Sequence, residues 1–305
     1  MDILSETIAA IRTANPTSGM FVRHAPWGRS YPIVPGTGFH VVLQGSCWVL
    51  TPAGESIALG AGDVLLMPRG ADHLLADDPG TPITEIARPG EPREIAGPGQ
   101  RTALLCGAYA LGGRRGHPML DELPEFIHLP ARPGRHPALR SAVDLLAGEL
   151  AEPRPGSDAV VPALLDTLLL FALRAWFDEQ AAARAAGWAG AFTDPAVAMT
   201  LRAIHEAPEK NWTVPELSEL AGVSRATLAR RFTATVGEPP LAYVTRWRML
   251  TAARLLRETD TPLAGIARKV GYQSEFAFAK AFKREYSLAP GQYRRAIDAP
   301  DVIAV

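Results

Sequence analysis

Between residues 23 and 111 the apolar side chains come in short runs, at residues 39–43, 47–50, 64–67 and 103–111. Turn clusters at Pro52-Ala53-Gly54 and Gly60-Ala61-Gly62-Asp63 separate them. Closely spaced apolar runs with such turns predict the strands of a sandwich or barrel. A stretch rich in Pro, Gly and Arg, residues 129–137, ends this part. The spacing then turns helical, with Leu139, Val143, Leu146 and Leu150 three and four apart. After the Pro153-Arg154-Pro155-Gly156 break it resumes over residues 158–186. On that second helix Leu164, Leu168, Phe171 and Ala175 form one apolar stripe, flanked by Leu165, Leu169 and Leu173. A surface this broad packs either on the barrel or on another subunit, and it predicts a homodimer. Residues 187–190, with two glycines, read as a short linker.

The last hundred residues run through one plan twice. Thr213 caps a helix with Pro215 in its first turn, and Leu217, Leu220 and Ala221 are expected to face inward. Gly222 permits a tight turn, Ser224 caps the next helix, and Leu228 and Phe232, four apart, face inward. Arg225, Ala226, Ala229 and Arg230 are left on the outer face, where a recognition helix meets base edges. Further on, Pro262 stands near a helix start, Ile266 and Ala267 face inward, Gly271 makes the turn and Ser274 caps. Phe278 and Phe282 repeat the inward pair. Glu275, Phe276, Ala279 and Lys280 take the outer positions, with Lys283 and Arg284 placed for phosphate. Residues 241–256, bearing Arg246, Arg248 and Arg254 and followed directly by Arg257, predict a connecting helix. Such a spacer can hold two recognition helices one turn of DNA apart, on the order of 34 Å.

Two further segments are diagnostic: Gly237-Glu238-Pro239-Pro240-Leu241-Ala242-Tyr243 before the connecting helix, and Ala289-Pro290-Gly291-Gln292-Tyr293-Arg294 at the end. With these, residues 195–297 resemble the AraC/XylS DNA-binding domain. The resemblance implies a seven-helix domain that binds two successive major-groove segments. Arg230 is the best candidate for a specific hydrogen bond, while Ala226 and Ala229 offer only apolar contact, for instance to a thymine methyl. Phe276 either meets DNA or packs as a partly buried residue. Glu275 either accepts from cytosine or supports the helix N-terminus.

In the β part, Gly62, Pro68, Gly70 and His73 have the spacing of the second cupin motif, and Val41-Val42-Leu43-Gln44-Gly45 lies upstream. Residues 21–111 therefore resemble the cupin-type sensor fused to some AraC regulators. Metal-binding cupins place a Glu and a His pair before such a strand, but here Gly38 fills the Glu slot and Tyr31 to Val34 fill the His slots. The usual metal triad is absent, which argues against a cupin dioxygenase or isomerase, and no other nucleophile–base or paired-carboxylate motif replaces it. His40 shares the inward strand face. His40, His73 and Cys106 either meet in the lumen and bind zinc, or are hydrogen-bonded and packed barrel residues. Cys106, alone or with Cys47, is a candidate for sensing an oxidant if it is exposed and electropositively placed. Its other reading is a buried small hydrophobe.

Composition adds one asymmetry to an ordinary globular profile. The chain has a formal net charge of −1, yet residues 194–298 carry 16 Lys/Arg against 11 Asp/Glu, and the remainder is acidic. A basic segment suits a polyanion. The first residues lack the basic start and apolar run of a signal peptide, so the protein is expected to stay in the cytoplasm. Two cysteines make no disulfide framework, in keeping with a reducing compartment. Residues 159–177 are the most apolar, but Pro162, Asp166 and Arg174 interrupt them, which favours a buried or interface helix over a membrane span.

The expected architecture is α+β in two domains, an N-terminal cupin-like β-barrel with following helices and a C-terminal all-α domain with two helix-turn-helix units. The expected divisions are residues 1–136 for the sensor, 137–190 for a helical dimerisation and linker region, and 191–298 for DNA binding. The expected function is sequence-specific DNA binding and transcription regulation, controlled by a small-molecule or redox signal. Its partners would be double-stranded promoter DNA, a second copy, the effector and, for an activator, RNA polymerase. A cupin enzyme with a DNA-binding appendage is the alternative.

Overall fold

The structure, a computed structural model, describes residues 2–88, 93–111, 117–183 and 187–297. The chain opens with helix α1 (Ile3–Ile11) and continues through β1 (Thr17–His24), β2 (Gly28–Tyr31), β3 (Thr37–Gln44), β4 (Ser46–Leu50) and β5 (Ser56–Gly60). Then come β6 (Val64–Met67), β7 (His73–Ala76), β8 (Glu85–Ile86), β9 (Glu94–Ile95), β10 (Arg101–Tyr109), α2 (Pro118–Asp121) and β11 (Ile127–Leu129). Helices complete it: α3 (Pro137–Ala151), α4 (Ser157–Ala183), α5 (Trp188–Thr193), α6 (Pro195–Glu206), α7 (Val214–Leu220) and α8 (Arg225–Val236). The last are α9 (Pro240–Glu258), α10 (Leu263–Lys269), α11 (Glu275–Tyr286) and α12 (Pro290–Ile297).

Two compact units result, and they do not follow the divisions expected from the sequence. The sheet unit holds Ala14–Ala110 and Leu123–Trp176, so it includes α3 and most of α4. The helical unit is built from the segment up to Thr13, the segment ending at Glu122 and the chain from Phe177 onward. Residues assigned by sequence to the sensor, in α1 and α2, thus belong to the helical unit.

In the sheet unit one sheet runs β11-β6-β3-β10-β1-β9 and the other β5-β4-β7-β2-β8. Their facing apolar side chains, among them Phe21, Tyr31, Val42, Val49, Leu59, Leu65, Leu75 and Leu104, form one core. The motif that ends in His73 turns as its residue types require: Gly70 has φ +64, and a Cβ there would lie 1.9 Å from the Val34 carbonyl oxygen. Among the described residues of α4 the buried side chains are Leu165, Leu168, Leu169, Ala172, Leu173, Ala175 and Phe177. The face turned to the core is therefore centred on the predicted flank, and Leu164 and Phe171 are only half-buried. By length and composition α4 could cross a membrane, but almost half of its apolar window is buried inside the protein. The helical run expected to reach Ala186 is described as far as Ala183, and residues 184–186 and 298 lie outside the described residues.

In the helical unit the segment expected as a linker is helix α5, and Trp188 within it is buried. Helix α1 packs on α6 and α9. A chain of buried polar groups ties these pieces together. His205 Nδ1 lies 2.9 Å from a Glu6 carboxylate oxygen, and its Nε2 lies 2.8 Å from the Tyr243 hydroxyl, which also meets His117 Nε2 at 3.4 Å. The His205 ring stacks on Trp247 with centroids 3.5 Å apart. With Nδ1–H donated to Glu6, Nε2 is the acceptor and the Tyr243 hydroxyl donates to it. Burial holds His117 well below its ordinary pKa, with His205 and Arg246 adding to the effect. Burial also lowers His205, against the pull of Glu6.

Candidate nucleic-acid interface

The first helix-turn-helix unit is α7 and α8. Thr213 and Glu216 form a reciprocal capping box on α7, and Gly222, at φ +65, makes the turn. The Ser224 hydroxyl accepts the Thr227 N–H at 3.2 Å and starts α8. Leu228, Phe232 and Val236 are buried, while Arg225, Ala226 and Arg230 are exposed and Ala229 is half-buried. Leu220 departs from expectation: it is 43% exposed at the last position of α7.

The second unit is α10 and α11. Gly271, at φ +79, makes its turn, and the Ser274 hydroxyl accepts the Ala277 N–H at 3.1 Å. Phe278, Ala281, Phe282 and Tyr286 enter a core with Ile266, Ala267, Val270 and the α9 residues Met249, Ala252, Ala253 and Leu256. Glu275, Phe276, Lys280, Lys283 and Arg284 are exposed and Ala279 is half-buried. Phe276 is 81% exposed, so the packing reading of that residue is set aside. Three arginines of the connecting helix are structural clamps. Arg246 binds Glu238 at 2.8 Å, Arg248 donates to the Pro208 and Lys210 carbonyls, and Arg257 donates to the Tyr293 hydroxyl and to the Ala10 and Arg12 carbonyls.

In the sheet unit His40 and His73 do meet, Nε2 to Nε2 at 2.7 Å. His73 Nδ1 donates to the Ala71 carbonyl at 2.8 Å, so its Nε2 must accept the proton of His40 Nε2. His40 Nδ1 is then an acceptor, buried and without a hydrogen-bond partner among the described residues. Tyr31 stacks on His73 and meets the edge of His40, and its hydroxyl lies 3.7 Å from Cys106 Sγ. Burial lowers both imidazoles, His40 most strongly, with His73 and Arg29 adding to the effect. Among the described residues no group of three His, Cys, Asp or Glu side chains is placed to hold a metal ion. The zinc arrangement of His40, His73 and Cys106 is therefore not formed, since the histidines face one another and Cys106 faces Tyr31. The condition for an oxidant-sensing thiol also fails. Cys47 and Cys106 are buried, and burial, helped by Cys106 and Asp63, pushes the Cys47 thiol up to about 12.

Residues 2–178 match a family model described as Cupin, and residues 217–296 match one described as Helix-turn-helix domain. An AraC-like transcription regulator of Streptomyces lividans is 35% identical over 300 residues, covering 97% of this chain and 98% of that protein. The chain belongs to the AraC-type transcription regulators. The HTH-type transcriptional regulator MtrA of Neisseria gonorrhoeae is 29% identical over 301 residues, covering 97% of this chain and 98% of its own. Among solved structures, the DNA-binding domain of AdpA in complex with a target DNA is 32% identical, covers 35% of this chain and 95% of that one, and has a TM-score of 0.33.

This AraC-type regulator is a DNA-binding protein with a cupin-like sheet unit, and two parts of it escaped the sequence reading. Tyr31 was legible only as a lost metal ligand, yet it occupies the histidine slot as an inward ring against both histidines. The Glu6–His205–Tyr243–His117 chain carried no local signal, because Glu6 and His205 are 199 residues apart.

Proposed function

We propose that α8 and α11 read two successive major-groove segments of promoter DNA. Arg225, Ala226, Ala229 and Arg230 serve the first, Glu275, Phe276, Ala279 and Lys280 the second, and Lys283 and Arg284 bind phosphate. One observation carries this reading: two separately capped helices each bury an aromatic-containing pair four apart and leave these residues on the solvent side of a basic segment. The test is a titration at fixed salt on duplexes recovered from the native genome. Arg230→Ala costs about 1–3 kcal/mol and relaxes preference at one base pair, while Lys283→Ala weakens all sequences alike and flattens the salt slope. Unchanged affinity and preference in Arg230→Ala would reject the first reader.

The sheet unit acts in this reading as a sensor of a small molecule in the cytoplasm, not as a catalyst. An open cleft of about 610 Å³ beside Tyr31, lined also by Ser30, Leu50, Asp72, His73 and Leu74, supports it. Stoichiometric iron or manganese in the purified protein would instead favour an enzyme. A homodimer forms through the outer face of α4, where Val160 is exposed and Leu164 and Phe171 are half-buried, with exposed Leu145 on α3. Sedimentation of Leu164→Glu tests it: the variant shifts toward monomer, and a wild-type monomer at micromolar concentration would refute the dimer.

A further inference from the structure

The most exposed large apolar side chain among the described residues is Phe276, at 81%. The fold makes no use of it. The other aromatic residues of α11, Phe278, Phe282 and Tyr286, are buried and in contact in sequence, Phe278 tilted against Phe282 with ring centroids 5.7 Å apart and Phe282 stacked on Tyr286 at 4.5 Å. Phe276 instead stands at the second position of α11, one turn before Lys280 and two before Lys283 on the same side. An exposed ring in the first turn followed by cationic turns matches a helix whose start meets base edges and whose later turns meet phosphates. The cations Lys280, Lys283 and Arg284 point to a polyanion, rather than an apolar protein surface, as what covers the ring.

The first unit offers an internal comparison. Counted from the capping serines Ser224 and Ser274, Ala226 is the counterpart of Phe276 and Arg225 the counterpart of Glu275. The first unit thus begins with a guanidinium, a group able to donate hydrogen bonds to base edges, whereas the second begins with a carboxylate and a bare ring. A phenyl ring offers no hydrogen bond to a base. The major-groove group it can recognise is the methyl on C5 of a pyrimidine, which thymine alone supplies in unmodified DNA.

We infer that Phe276 is a specificity-determining residue that reads a thymine methyl in the half-site bound by α11. The inference rests on α11 being a DNA-facing helix. Its test begins with duplexes selected by the full-length protein from a random library of unmodified DNA. Thymines in the α11 half-site are then replaced one at a time by uracil, which removes the methyl and leaves every base-pair hydrogen bond in place. Wild type is expected to lose about fourfold in affinity at one or two positions, the worth of one buried methyl group. Phe276→Ala should bind thymine and uracil duplexes equally, at the lower affinity, and Phe276→Leu should retain part of the discrimination. Thermal unfolding checks that both variants keep the fold, as an exposed side chain leads one to expect. If wild type is indifferent to uracil, or if Phe276→Ala discriminates as wild type does, the inference is overturned while DNA binding stands. If the selection recovers no preferred duplex at all, the reading of α11 as a DNA-facing helix falls with it.

Discussion

In the helical unit Arg225, Arg230, Glu275, Phe276 and Lys280 stand in solvent on α8 and α11, whereas in the sheet unit His40, His73, Cys47 and Cys106 are enclosed between two sheets. The contrast separates two tasks. A surface that reads DNA needs a rigid scaffold beneath exposed polar groups, and each helix-turn-helix unit supplies one through its cap, its glycine turn and its buried apolar pair four residues apart. An enclosed cluster instead keeps its groups neutral, because burial penalises charge. The His40–His73 pair is joined by one hydrogen bond, from His40 Nε2–H to His73 Nε2, and the Cys47 thiol is pushed up to about 12. That setting disfavours thiolate chemistry at Cys47.

The comparison can be broken first at α4, where burial decides the outcome. Leu168 is wholly buried, so Leu168→Glu is expected to destabilise the sheet unit by about 4 kcal/mol or more, as an unpaired buried carboxylate does. Leu164→Glu, on the half-buried face, should cost under about 1 kcal/mol, and urea unfolding of both variants checks the difference. Equal losses would mean that the two faces of α4 are misassigned.

Acid comes next. His40, His73, His117 and His205 are all lowered from their ordinary values, first by burial. The unfolded chain therefore binds more protons than the folded one below about pH 6.5, and stability, complete above that value, falls as pH drops. Each such imidazole contributes up to about 1.4 kcal/mol per pH unit. Unfolding free energies at pH 7.5 and 5.5 should show the loss, and His117→Asn should reduce the slope. A flat profile would contradict the burial assigned to these rings.

The smallest effect sharpens the internal likeness of the two readers. Ser224→Ala and Ser274→Ala each remove one side-chain cap and should cost about 1 kcal/mol of stability, to a similar extent. Thermal unfolding of the two variants side by side measures it. A loss at only one serine would mean that the units are not equivalent.

The helix-turn-helix units were legible because their signals are local. Thr213 with Glu216, Ser224, Gly222, and Leu228 with Phe232 lie within a few residues of the groups they serve, so spacing alone orders them. Leu220 misled because helical periodicity does not say where a helix ends. On α4 two adjoining stripes are equally apolar, and only the packed sheet unit chooses Leu165, Leu169 and Leu173 over Leu164 and Phe171 as the buried face. In the barrel the inward alternation of β3 placed His40, but Tyr31 owes its position to the register of β2 against β7, in which it pairs with His73. Sequence spacing carries no such cross-strand information. Helix α1 illustrates the same limit: its Glu6 bonds His205 on α6, which in turn meets Tyr243 on α9, far along the chain.

The central claim is that one helical unit places two recognition helices on one face of DNA. A hydroxyl-radical footprint of the full-length protein on a selected duplex tests it most directly. The account predicts two protected backbone patches about one helical turn apart, roughly 10 base pairs, for each copy of the protein, with Arg230→Ala weakening one patch and Phe276→Ala the other. A single patch per copy, or two patches that fade together in either variant, would contradict it.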